Sequence, residues 1–222
     1  MNWAWRFRLA GFPVAIDASF FILAVLLGFQ LRDLRLILLW VVVLFVSILA
    51  HELGHAIVGR SYGLQPQIRL YSMGGLTSWS SGRGLTPRQS ILVSLSGPAA
   101  GLALGGLVYG FSVLEPIELT PMGSFVVFLL LQVNIVWSIL NLLPIVPLDG
   151  GNVMRSLLFM FRGQRDERLP AMVSMVVAAA VFVLALSVGR TFGAMMAAWL
   201  AFSNYQTFKG ETYGARFPGM GR

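Results

Sequence analysis

The chain contains no cysteine in its 222 residues. That excludes a disulfide framework, a thiolate metal site and a thiol nucleophile. Charge is almost as scarce, at 11% of residues, against 57% hydrophobic and a mean hydropathy of +0.77. A soluble domain of this length needs far more charge to cover its surface, so the composition is that of a membrane protein. The N-terminal stretch "MNWAWRFRLAGFPV" lacks a separate apolar core ending in small residues, so no cleavable signal is expected and the first apolar stretch stays as a span. The formal net charge of +7 comes from arginines placed between apolar runs. Positive charge at membrane edges accounts for them, and nucleic acid is not an expected partner.

Apolar stretches able to cross roughly 30 Å of hydrocarbon need about 20 helical residues. Splitting the sequence at its charges gives six candidates: 15–31, 36–59, 89–111, 122–143, 169–189 and 191–208. Segment 64–81, "LQPQIRLYSMGGLTSWSS", fits no span. It alternates in part and breaks at Gly74-Gly75, which reads as a β-hairpin. Strand edges do not face lipid, so the hairpin belongs at the interface or in a protein-lined cavity. The expected fold is therefore an all-α polytopic membrane protein, a single domain over 1–222, with about six helices and a small re-entrant hairpin after the second. Placing the N-terminus in the cytoplasm collects 13 of the 16 Lys and Arg residues on that side. Both termini are expected there.

The chemistry concentrates in "HELGH", residues 51–55. Positions i and i+4 of a helix share a face, so His51 and His55 can aim two imidazoles at one metal ion, with Glu52 beside them to reach a metal-bound water. These are the only two histidines in the chain. Chance would produce the arrangement on the order of a few times in ten thousand. Glu52 precedes Arg60 by eight residues, which puts it roughly 12 Å inside the cytoplasmic edge. The alternative for the two histidines is a hydrogen-bonded pair that packs helices, but a glutamate buried between them needs compensation of its own. A zinc ion would still need a third protein ligand. The remaining membrane-embedded acids are Asp17 and Asp149. Asp149 follows Pro144 and Pro147 and precedes Gly150-Gly151, a stretch that unwinds and lets a carboxylate turn inward. It is the expected third ligand, with a helix N-cap as the competing role. Asp17 suits an interfacial or turn position better.

HExxH in one span and "NLLPIVPLDGG", residues 141–151, in a later one resemble the site-2 protease family of intramembrane zinc metalloproteases. "SGPAAG", residues 96–101, is similar to the family's Gly-Pro motif. The resemblance implies one Zn2+ per chain on His51, His55 and Asp149, with Glu52 as general base. It implies that Asn141 lies near the cleft, where it could bond substrate backbone or a developing oxyanion. Gly101 departs from the pattern, because many relatives carry asparagine there. The implied substrate is a single-span membrane protein, such as a membrane-tethered regulator, cleaved in a prokaryotic cell membrane nearer its cytoplasmic face. The hairpin residues Met73, Gly74, Gly75, Leu76 and Thr77 could receive an unwound substrate by strand addition. Separation of the fifth and sixth spans would admit it from the side. The alternative reading is a non-catalytic zinc-binding scaffold or a metal transporter. A transporter should string ligands along a path, whereas this chain offers one compact site.

Overall fold

The computed structural model describes residues 4–79, 84–114, 119–163 and 166–210. The last two residues of the expected hairpin, 80–81, lie outside them. The chain divides into two compact units, Met1–Gly84 with Ser96–Leu140, and Leu85–Leu95 with Asn141–Phe217.

The first unit opens with strands β1, Ala4–Leu9, and β2, Phe12–Asp17. They pair antiparallel around a two-residue loop, with Leu9 opposite Phe12. Ala10 and Gly11 both take positive φ, 49° and 83°, as a tight hairpin turn with the twist of its strands requires. Helix α1, Ala18–Gly28, a 3-10 turn, Phe29–Leu31, and helix α2, Leu34–Ser61, then return the chain to the sheet. The Asp33 side chain caps α2, accepting from the Arg35 and Leu36 amides at 2.7 and 3.3 Å. Strand β3, Pro66–Tyr71, lies parallel to β2, and β4, Gly74–Trp79, turns back antiparallel to β3. A parallel pair needs a long crossover, which α1 and α2 supply.

The four-stranded sheet runs in the order β1-β2-β3-β4. Side chains two apart share one face of a strand, and here Phe12, Val14, Ile16, Ile68 and Leu70 are all buried. They close onto Phe20 and Ala24 of α1 and Val43, Leu44, Ile48, Leu49 and Ala56 of α2, which makes the core of this unit. On the other face, Arg69 of β3 donates to Asp17 of β2 through Nε and Nη2, at 2.9 and 2.6 Å. At the end of α2, Arg60 donates to the Ala10 carbonyl and stacks its guanidinium 4.1 Å from the Phe12 ring centroid.

Helix α3, Pro87–Leu114, carries Gly97, Gly101 and Gly105 at four-residue intervals, one stripe along one side. Small residues let helices approach closely where lipid supplies no hydrophobic drive. A β-carbon on Gly54 of α2 would fall on the Ser96 backbone and 2.9 Å from Ala100 Cβ. One on Gly105 would meet Ile135 at 2.9 Å. Helix α4, Pro121–Leu131, is capped by Thr120 and passes through a wide turn, Gln132–Val136, into α5, Trp137–Asn141. Asn134, on that wide turn, donates to Ser47 Oγ of α2 at 2.9 Å and to the Leu130 carbonyl at 2.8 Å.

The second unit holds α6, Asp149–Arg162, α7, Arg168–Ser187, and α8, Thr191–Lys209. The short link through Gly189, with φ 70°, makes α7 and α8 adjacent. Ile145, Ala178 and Leu200 form its buried centre.

Among the described residues, four helical stretches are long and apolar enough to cross a membrane: Leu34–Ser61, Pro87–Leu114, Pro121–Asn141 and Arg168–Ser187. Ala18–Leu31 is apolar but shorter. The expected span at 15–31 thus loses its first three residues to β2, and its helix starts at Ala18.

Gly54→Ala tests the close approach of α2 and α3. The clash is with backbone, which cannot swing aside, so thermal unfolding in detergent should report a loss of about 1–3 kcal/mol.

Candidate metal centre

The helix that must cross an apolar medium also carries the polar cluster. His51, Glu52 and His55 are buried at 7%, 5% and 8% exposure, all on α2 within the first unit. One helical turn apart, the two imidazoles meet edge to face, with ring centroids at 4.9 Å. Their Nε2 atoms face each other at 3.2 Å. Zinc bonds histidine nitrogen at about 2.0–2.1 Å, so two such ligands at a tetrahedral angle lie about 3.3 Å apart. The observed spacing suits one ion held by both rings.

Two glycines shape the surroundings. A β-carbon on Gly97 would lie 2.7 Å from His51 Nε2 and closer still to His55 Nε2. The Gly-Pro step of α3 therefore passes directly over the imidazole pair, and only glycine leaves its nitrogens clear. A β-carbon on Gly75 of β4 would fall on the Glu52 carboxyl group. The strand consequently approaches Glu52 as closely as backbone can.

Thr77, two residues along β4, donates its hydroxyl to Glu52 Oε2 at 2.6 Å and lies 3.1 Å from the Glu52 carbonyl. This bond holds one carboxylate oxygen and leaves Oε1 on the Gly75 side. Tyr71 at the end of β3 is affected too. Burial first, then the Glu52 charge, pushes its phenol above the ordinary value, while Arg69 pulls it down. The group accordingly stays a neutral hydroxyl at any ordinary working pH.

Of the hairpin residues, Met73 is exposed in the turn, and Gly74, with φ 106°, begins β4. Gly75, Leu76 and Thr77 follow it, half-buried. The outer edge of β4 pairs with no other strand among the described residues. Asp17 sits at the junction of β2 and α1, bonded to Arg69. In the second unit, Asn141 is half-buried at the end of α5, and Asp149 is half-buried as the first residue of α6. Sequence reasoning did not find the contact of Gly97 with the imidazoles or that of Thr77 with Glu52. The four-residue glycine stripe was the available signal for the first.

Comparison with known proteins now places the chain. A profile of peptidase family M50 matches residues 39–122 and 117–185. A Synechocystis protein provisionally named a zinc metalloprotease is 32% identical over 169 residues, covering 75% of this chain and 38% of its own length. The provisionally named zinc metalloprotease Rip3 of Mycobacterium tuberculosis is 30% identical over 219 residues, covering 90% of this chain and 56% of its own. The chain thus spans about half, or less, of the length of these relatives. The solved structure of the site-2 protease from Methanocaldococcus jannaschii superposes with a TM-score of 0.66 at 21% identity, covering 97% of this chain and all of that one. The fold is that of a site-2 protease, and the molecule is an integral membrane protein. The chain belongs to peptidase family M50, and both of the sequence relatives described above are named as zinc metalloproteases.

Gly97→Ala should therefore weaken zinc binding at least about tenfold, as read by metal content after dialysis against a chelator. Gly106→Ala, on the same helix with nothing within 4 Å of the added carbon, should bind zinc as the wild type does.

Proposed function

We propose that this chain is an intramembrane zinc metalloendopeptidase that cleaves single-span, membrane-tethered proteins in or near their transmembrane segments. The observation that carries the proposal is the buried pair of facing imidazole nitrogens with a glutamate anchored beside it, on an apolar helix of an M50 family member. His51, His55 and Asp149 are the three ligands in this reading. Two histidines and one carboxylate are the donor kind that zinc peptidases use.

When bound, zinc lowers the pKa of its water toward about 7 and polarises the scissile carbonyl. The rest is done by the chain. Glu52 takes the proton of the attacking water as the new C–O bond forms, then delivers it to the departing amine as the C–N bond breaks. Thr77 holds Oε2, so Oε1 is the oxygen that moves the proton. Asn141 offers an amide to substrate backbone or to the oxyanion. A substrate helix must unwind before it can be cut, and its freed N–H and C=O groups need partners inside the membrane. Gly74, Gly75, Leu76 and Thr77 of β4, with Met73 in the turn before them, would receive that backbone along an outer edge that pairs with no other strand among the described residues, and the same strand touches Glu52.

The full reading is one membrane-embedded metalloprotease domain over 1–222, with six spans and the hairpin re-entrant after the second. Both termini and the active-site side face the cytoplasm of a prokaryotic cell. The fifth and sixth spans act as the lateral gate.

Glu52→Gln separates an enzyme from a scaffold. Purified in detergent, the variant should keep about one zinc per chain and lose about 10²–10⁴-fold in turnover of a membrane-tethered substrate. Asp149→Ala should lose or sharply weaken zinc. A Glu52→Gln protein that still cleaves at the wild-type rate would remove the general base from the mechanism, and zinc retained in full by Asp149→Ala would remove the third ligand.

A further inference from the structure

Two polar side chains of the second unit are deeply buried and take no part in the chemistry above. Ser174 of α7 is 0% exposed and Asn204 of α8 is 3% exposed. Burying a hydroxyl or an amide is costly unless it is hydrogen-bonded. Packing two apolar helices together requires neither.

Both side chains direct their bonds at one residue. The Val146 N–H donates to Ser174 Oγ at 2.9 Å, and Asn204 Nδ2 donates to the Val146 carbonyl at 2.7 Å and to the Leu200 carbonyl at 2.9 Å. The peptide groups on the two sides of Val146 are thus held separately, one by each helix.

Val146 lies three residues before Asp149, and the chain between them has little freedom. The Leu148 N–H closes a turn onto the Ile145 carbonyl at 2.7 Å, and the Ile145 N–H bonds the Leu143 carbonyl at 2.7 Å. Ile145, 1% exposed, is seated with Ala178 and Leu200. Beyond Asp149, Gly150 and Gly151 press on the backbone of Leu142, Leu143, Ile145 and Val146, where no side chain would fit. Moving Val146 moves Asp149.

We infer that Ser174 and Asn204 are positioning residues for the Asp149 carboxylate. They clamp the 142–148 loop to α7 and α8, so that both helices set where the carboxylate is presented. The inference rests on the reading of Asp149 as the third zinc ligand. It also ties the expected gate helices to the metal centre, because a displacement of α7 and α8 would carry the ligand with it.

The test compares Asn204→Leu, Ser174→Ala and Asp149→Ala with wild type in the full chain purified in detergent. Three quantities are read: the zinc dissociation constant by competition with a chromophoric chelator, the visible spectrum of the Co2+-loaded protein, and thermal unfolding of the metal-free form. The expected result is a roughly ten- to hundredfold weaker zinc site in Asn204→Leu and Ser174→Ala, with a changed cobalt spectrum. Wild-type affinity and spectrum in both variants, with or without a lower unfolding temperature, would show a purely structural role and overturn the inference. In that outcome a metal-poor Asp149→Ala protein leaves the ligand assignment standing, whereas full metal binding by Asp149→Ala takes both down together. Should Asn204→Leu fail to fold, Ser174→Ala, which removes a single oxygen, decides the matter.

Discussion

The first unit answers to one constraint: three ionisable side chains, at positions 51, 52 and 55 of a helix that crosses an apolar medium, must each be compensated. An isolated charge there costs several kcal/mol, and a neutral polar group without a partner costs less but still counts. The imidazoles face each other across the 3.2 Å that one divalent ion would bridge. The glutamate is met by a hydroxyl from another element, because lipid offers it nothing. The sheet beside α2 is thus the structure that makes Glu52 affordable at this depth.

The same constraint explains why glycine occurs where helices and strands come nearest. Gly97 and Gly75 each lie where a single methyl group would strike the polar cluster, one above the imidazoles and one against the carboxyl. Backbone approaches in place of side chain and brings its own polarity toward the site. The rest of the α3 stripe does the same work away from the chemistry, with Gly101 against Ser138 and Gly105 against Ile135. Packing of this kind depends on shape and dispersion, which is the attraction left when lipid and side chain are equally apolar.

Much of this was legible in the residues. HELGH could be placed on one helical face by spacing alone, and the apolar runs gave helices α2, α3, α4–α5 and α7 within a few residues of their observed ends. The β3–β4 hairpin showed in its alternation and its Gly-Gly break. Strands β1 and β2 did not show. Alternating Trp5, Arg6, Phe7 and Arg8 reads equally well as an aromatic and cationic membrane edge, and the second partner of β2, beyond the adjacent β1, is β3, about fifty residues further on. Pairing over such a distance leaves no local pattern. The contacts of Gly97 and Thr77 were hidden for the same reason: each is made across elements, and a sequence read one segment at a time records only the small residue or the hydroxyl.

A sheet among membrane helices raises a final question of edges. Open strands pair with whatever backbone is available, and proteins guard them with charge. The outer strand β1 carries Arg6 and Arg8, both exposed. The opposite outer strand, β4, reads Gly-Gly-Leu-Thr-Ser-Trp and has no charged residue at all. One edge of the sheet is therefore protected against chance pairing and the other is not. The unprotected edge belongs to the strand that touches Glu52 at Gly75 and Thr77. Among the described residues that edge is left bare beside the buried carboxylate, which fits the proposal that an unwound substrate lies on β4, since charge along the strand would obstruct backbone pairing there.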